Sequence, residues 1–142
     1  MGDRRAHLDF AVSGLRAFLD DLNVSPYDET KPVGVIGEQP LFLNAAAVGT
    51  TSRSAREVLD GLLAIERERG RERPFVNAPR TLDLDLILFG DAVIDEPGLV
   101  VPHPRFRERR FVLAPLAAIA PGLIDPVTRL TVIELLKIQQ EP

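Results

Sequence analysis

Asp83 and Asp85 stand two residues apart in the run Pro79-Arg80-Thr81-Leu82-Asp83-Leu84-Asp85-Leu86-Ile87-Leu88-Phe89, and this spacing is the chain's clearest chemical signal. Side chains alternate across a strand, so Thr81, Asp83 and Asp85 share one face while Leu82, Leu84, Leu86 and Leu88 cover the other. With a rise of about 3.3 Å per residue, the two carboxylates sit about 7 Å apart along the backbone. Two such charges on an apolar strand are costly unless they are exposed or neutralised by a cation. Mg²⁺ suits the task, because it takes one or two carboxylates and leaves its other positions to water and substrate phosphates. A half-exposed strand with a polar outer face also accounts for a bare Asp-x-Asp.

The surrounding residues favour phosphate chemistry. Arg71, Arg73 and Arg80 precede the pair, and Arg105, Arg107, Arg109 and Arg110 follow His103, so cations flank the acidic strand on both sides in sequence. Carboxylates that hold a metal beside arginine forks are what phosphoryl transfer requires, since its catalysis is mostly positioning and charge stabilisation. Asn44, between Phe42 and Ala45 in a strand-like stretch, offers a donor and an acceptor to the edge of a heterocycle. Phe42 and Phe111 are rings that can stack on it or fill the core. His103, between Pro102 and Pro104, lies on a stiff segment and can contact a nucleotide or serve only as a turn residue.

These residues need elements to hold them. Leu8, Ala11, Val12, Leu15, Leu19 and Leu22 recur at helical steps, predicting a helix over about 4–22. Strands are expected over 24–30 and 41–51, joined as a hairpin by the Pro/Gly-broken stretch 31–40. Ser52 or Ser54 caps a second helix whose buried stripe is Val58, Leu59, Leu62, Leu63 and Ile65. The strongest strand signal, 81–89, stops at Gly90-Asp91; short strands follow at 93–94 and 99–101, then helices over 111–120 and 131–138. This order predicts an α+β sandwich with helices on a mainly antiparallel sheet, in a single domain spanning 1–142.

Composition bounds the function classes. The 142 residues include 45% apolar and 27% charged side chains, a globular balance with no Cys for a disulfide scaffold. The apolar stretch Phe111 to Ala120, interrupted by Pro115, is far shorter than the ~20 residues of a membrane helix, so no membrane partner is expected. With no secretory leader pattern, the expected location is the cytoplasm. Lys plus Arg number 17 against 21 Asp plus Glu, for a net charge of −4, which argues against a nucleic-acid partner. The positive charge is concentrated: 66–80 holds five Arg against three Glu, and 105–110 holds four Arg against one Glu.

The segment Asn77-Ala78-Pro79-Arg80-Thr81-Leu82-Asp83-Leu84-Asp85-Leu86-Ile87-Leu88-Phe89-Gly90 resembles the signature of the 6-hydroxymethyl-7,8-dihydropterin pyrophosphokinases of folate biosynthesis. Gln39-Pro40-Leu41-Phe42-Leu43-Asn44-Ala45, Glu66 with Gly70-Arg71-Glu72-Arg73, and Val101-Pro102-His103-Pro104 leading to Arg109-Arg110-Phe111 extend the likeness from about Gly2 to Ile124. The resemblance implies a ferredoxin-like fold and transfer of the β,γ-diphosphate of ATP to the hydroxymethyl group of a reduced pterin, releasing AMP. It implies that Asp83 and Asp85 bind two Mg²⁺ ions, with ATP as co-substrate. It also implies that Arg71 and Arg80 handle phosphates from two mobile loop regions, and that Glu66, His103 and Arg109 line the nucleotide side. Thr30, Val33, Phe42, Asn44 and Phe111 are implied for the pterin.

The chain departs from the family pattern in three places. Asn77 stands where some members have Trp, Pro104 where others have an aromatic residue, and only Gly2-Asp3 represents the family's opening strand and Gly-Ser-Asn-Leu-Gly-Asp turn. That strand lies inside a βαββαβ sheet, so its loss would leave two neighbours without a ladder partner, unless the true start lies upstream of Met1. A monomer is then expected, or a dimer if a partner chain fills the gap, and the alternative function is a catalytically silent nucleotide- or pterin-binding module.

Overall fold

The computed structural model describes residues 4–30, 42–70 and 82–139. In chain order these form α1 (Arg4–Arg16), β1 (Asp20–Val24), β2 (Asp28–Thr30), β3 (Phe42–Asn44), β4 (Ala47–Thr50), α2 (Ala55–Gly70), β5 (Ile94–Glu96), β6 (Leu99–Val101), α3 (Arg110–Ile119) and α4 (Val132–Ile138). The class is α+β: helices packed with three small antiparallel ladders, β1 with β4, β2 with β3 and β5 with β6.

The expected hairpin exists but is divided. Ser25 and Ala46 interrupt both strands, and there the Ser25 amide donates to the Ala46 carbonyl at 2.8 Å while the Ala46 amide donates to Ser25 Oγ at 2.8 Å. The buried Ser25 hydroxyl thereby joins the two ladders and fixes the register that pairs Asp28 with Asn44. The first helix ends at Arg16, earlier than its apolar period predicts. Leu19 and Leu22 continue the spacing, but after a turn and in a strand, and they still pack into the cluster built by Ala11, Leu15, Val58, Leu62, Ile65 and Leu82. Asp20, Asp21 and Asn23 are poor helix residues, and a β-bulge places Asp21 at φ 51°, a conformation an Asp side chain tolerates.

The second helix starts as expected, with a reciprocal cap: Glu57 N donates to Ser54 Oγ at 3.1 Å, and Ser54 N donates to Glu57 Oε1 at 2.9 Å. Its buried stripe is Ala55, Val58, Leu62 and Ile65, whereas Leu63, expected inside, is exposed because it falls on the far side of the helix. At Gly61 the helix meets the Phe18 ring so closely that an added Cβ would stand 2.8 Å from the ring edge, and only glycine permits that approach.

The segment predicted most strongly as a strand, 81–89, is corrected by the structure: Leu82–Phe89 joins no ladder among the described residues. Its alternation is the predicted one from Leu82 to Leu86 and ends there, since Leu88, expected on the same face, packs together with Ile87 elsewhere. Leu82 is buried, Asp83 and Asp85 are exposed, and Leu84 and Leu86 pack with Leu82 toward α1 and α2. Ile87 and Leu88 reach a second cluster built by Phe106, Leu113, Leu116, Ala117, Val132, Leu135 and Leu136. The segment therefore lies between the two principal cores.

The C-terminal region closes the second core. Thr131 caps α4 with a full capping box to Glu134, and the Asp125–Leu130 turn folds back so that Asp125 N donates to Leu130 O at 2.9 Å and Val132 N to Leu123 O at 2.8 Å. Asp125 is fully buried, and its carboxylate accepts from the Arg107 guanidinium, from Val127 N at 3.0 Å and from Thr128 Oγ1 at 2.8 Å. Burial pushes this carboxyl up, but the Arg107 hydrogen bond, the Val127 amide and the Thr128 hydroxyl outweigh it and bring the pKa down to about 2. An unfolded Asp titrates near 3.9, so the carboxylate adds on the order of 2 kcal/mol of stability that is present above about pH 5 and lost as pH falls toward 2. Urea unfolding between pH 6 and pH 2 should show the stability gap between the wild type and Asp125→Asn narrowing below about pH 4; a gap independent of pH would contradict the assignment.

Candidate functional site

Two hydrogen bonds position the acidic segment. The amide of Leu84, between the two aspartates, donates to Glu66 Oε2 on α2 at 2.5 Å. Three residues on, the carbonyl of Ile87 accepts from the amide of His103 at 2.9 Å. The leucine face is anchored in the cores, so Asp83 and Asp85 are presented to solvent. Same-side exposed carboxylates are hard oxygen donors that fit Mg²⁺ shared with substrate phosphates. Among the described residues no cluster of three or more His, Asp or Glu side chains could hold a metal by protein ligands alone.

His103 is tied down three ways. Besides its amide bond to Ile87, its carbonyl accepts from Phe106 N at 3.4 Å and its ring Nδ1 accepts from Arg105 N at 3.2 Å. An accepting Nδ1 places the proton of the neutral ring on Nε2, which makes that atom the donor available to a ligand. The chain then makes a 3₁₀ turn over Phe106–Glu108 and enters α3 through Arg109, whose carbonyl accepts from Leu113 N at 3.0 Å. The Arg109 guanidinium lies 5.7 Å from the centre of the Phe111 ring, and that ring is 39% exposed. A cation and an open aromatic face are thus held side by side at the start of α3.

Asn44 closes β3 opposite Asp28, and β3 lies in contact with both α1 and α3, so the strand carrying Asn44 and the helix carrying Phe111 meet. For Thr30 and Phe42 the described feature is their mutual pairing in the β2–β3 ladder. Arg71, Arg80 and Val33 lie outside the described residues. The structure thus ties the segment carrying Asp83 and Asp85 to the Glu66 side chain and to the His103 main chain, and brings Arg109 together with Phe111 through side chains.

Two residues singled out from sequence gain partners in the structure. Glu66, expected on the nucleotide side, accepts from the backbone amide between the aspartates. Arg107, read with its neighbours as one of several phosphate-binding cations, is occupied by the buried Asp125. Asp125 itself was not singled out by sequence, although Asp-Pro-x-Thr is a turn pattern whose side chains accept backbone amides, and that signal was there to be read.

A family model for 7,8-dihydro-6-hydroxymethylpterin-pyrophosphokinase matches residues 1–121. Several relatives bear the name 2-amino-4-hydroxy-6-hydroxymethyldihydropteridine pyrophosphokinase. The one from Synechocystis is 46% identical over 99 residues, which is 70% of this chain and 51% of the relative. The one from Pseudomonas aeruginosa is 47% identical over 103 residues, 72% of this chain and 63% of the relative. The one from Bacillus subtilis is 46% identical over 121 residues, 84% and 72%. The chain therefore spans about half to two thirds of the length of the first two.

The bond to Glu66 is testable without any ligand. Removing a charged acceptor leaves the Leu84 amide unpaired, a loss of about 1 to 3 kcal/mol. Hydrogen exchange at Leu84 should accelerate in Glu66→Ala and accelerate less in Glu66→Gln, which keeps an acceptor oxygen; equal protection in all three proteins would contradict the bracing role.

Proposed function

The chain belongs to the 7,8-dihydro-6-hydroxymethylpterin-pyrophosphokinase family, and on that premise we propose that it transfers the β,γ-diphosphate of ATP to the hydroxymethyl group of 6-hydroxymethyl-7,8-dihydropterin, releasing AMP. The observation that carries the reading is the presentation of Asp83 and Asp85 to solvent on a segment bonded to Glu66 on one side and to His103 on the other. The hydroxymethyl oxygen forms a bond to the β-phosphorus while the bond from that phosphorus to the oxygen bridging toward the α-phosphate breaks, and AMP departs. Proximity and charge stabilisation suffice for this reaction class.

In this reading Asp83 and Asp85 hold two Mg²⁺ ions, which when bound neutralise the phosphate oxygens. Either carboxylate, or water, takes the hydroxyl proton late, so no dedicated base is assigned. Glu66 keeps the two carboxylates in place from behind while lining the nucleotide side, and His103 offers Nε2–H to the nucleotide. Arg109 contacts phosphate beside Phe111, and Arg71 and Arg80 complete the cationic surround. Asn44 pairs with the pterin edge, Phe42 and Phe111 take the two faces of its ring, and Thr30 and Val33 contribute backbone groups. The α+β elements fit a ferredoxin-like sandwich, and we take residues 1–142 as one such domain acting in the cytoplasm on ATP and the reduced pterin.

Incubation with ATP, Mg²⁺ and the hydroxymethyl dihydropterin should release AMP, and chelation of the metal should stop it. Asp83→Asn and Asp85→Asn should each lower kcat by about 10²-fold or more while melting within a few degrees of the wild type, since both side chains are exposed. Calorimetry showing ligand binding with no AMP release would instead select a silent binding module.

A further inference from the structure

Arg107 follows His103 in an arginine-rich run, but its environment differs from that of its neighbours. Its Nε donates to Asp125 Oδ2 and its Nη2 to Asp125 Oδ1 at 3.0 Å, a two-pronged pairing with a carboxylate that is 0% exposed. Thr128 Oγ1 donates to the same Oδ2 and Val127 N to the same Oδ1, so both oxygens accept twice and the acceptor capacity of the group is filled. The Arg107 guanidinium also lies 5.0 Å from the centre of the Phe106 ring, which is fully buried in the core that α3 and α4 share.

The two ends of this pairing lead to different places. Asp125 belongs to a turn closed by main-chain bonds to Leu130 and Arg129 and continued into the capped α4. Arg107 sits between His103, whose amide is bonded to Ile87 in the aspartate-bearing segment, and Arg109, whose guanidinium lies over Phe111. The family match ends at residue 121, so the turn and α4 lie outside it. We propose that Arg107 and Asp125 are positioning residues, a clamp by which the C-terminal turn fixes the His103–Phe111 segment and so sets the nucleotide side of the site. Their effect passes through His103 and Arg109; neither touches substrate. This inference rests on the reading of the site given above.

The test compares Arg107→Gln, Arg107→Lys and Asp125→Asn with the wild type, below the melting temperature of each. Loss of the clamp on either side should raise KM for ATP about tenfold while KM for the pterin changes less than twofold, with Arg107→Lys between, because a misplaced binding group weakens what it contacts. Amide exchange in the 103–111 segment should accelerate in both Arg107→Gln and Asp125→Asn. A rise in KM for ATP in Arg107→Gln but not in Asp125→Asn would make Arg107 a direct phosphate ligand and overturn the proposal. Lower melting temperatures with unchanged KM and unchanged exchange would overturn it in favour of a purely structural pair. Where a single variant fails to fold, Arg107→Met/Asp125→Leu replaces it, since that pair leaves no buried charge unpartnered. If the wild type releases no AMP, the proposed function fails, while exchange at 103–111 still decides whether the clamp exists.

Discussion

The arrangement of the site depends on one constraint: a segment whose leucines must be buried carries two charges that must not be. Leu82, Leu84 and Leu86 enter the core between α1 and α2, Ile87 and Leu88 enter the core of α3 and α4, and the alternation of the chain leaves Asp83 and Asp85 outside. Burying either carboxylate without a partner would cost several kcal/mol, so the apolar face effectively orients the acidic one. No ladder fixes this segment among the described residues. The bonds to Glu66 and His103 supply local registration, and that gives α2 and the segment before α3 direct influence over where the carboxylates sit.

The same economy recurs where α3 begins. The start of α3 carries a cation beside an exposed aromatic ring, and the residues that hold this start in place include a buried carboxylate in the turn before α4. A fully buried Asp is tolerated because four donors converge on it, and a buried charge so satisfied is specific about its neighbours. Among the described residues the interior therefore holds two larger apolar cores and a smaller one around Ala55, Leu99 and Val101, with one continuous bonded path from the C-terminal turn to the aspartate segment.

Much of this was legible in advance. The helix periods at 55–70, 110–119 and 132–138, the short strand at 99–101 and the alternation across 82–85 follow from side-chain types at fixed spacing, whereas the strand expected at 93–94 lies at 94–96 and its pairing with 99–101 is seen only in the structure. The resemblance carried by the aspartate signature agrees with the family match. Local pattern failed where two conformations place the same apolar residues in the same core: Leu19 and Leu22 satisfy a helix or a turn followed by a strand equally well. It failed again at 81–89, because alternation reports which side chains are buried and says nothing about whether a neighbouring strand is present to complete a ladder.

What the sequence determined by itself was the identity and facing of the chemical groups, since these depend on residue type and on the two-residue period of an alternating chain. Only the tertiary structure decided which groups are engaged with one another. By residue type and spacing the four arginines following His103 are alike; the family resemblance singles out Arg109, but only the fold shows that Arg107 is engaged by a carboxylate eighteen residues further along. Glu66 likewise becomes a brace only because α2 passes beside the Leu84 amide. Long-range pairing of this kind is set by how the cores close, and no local spacing encodes it.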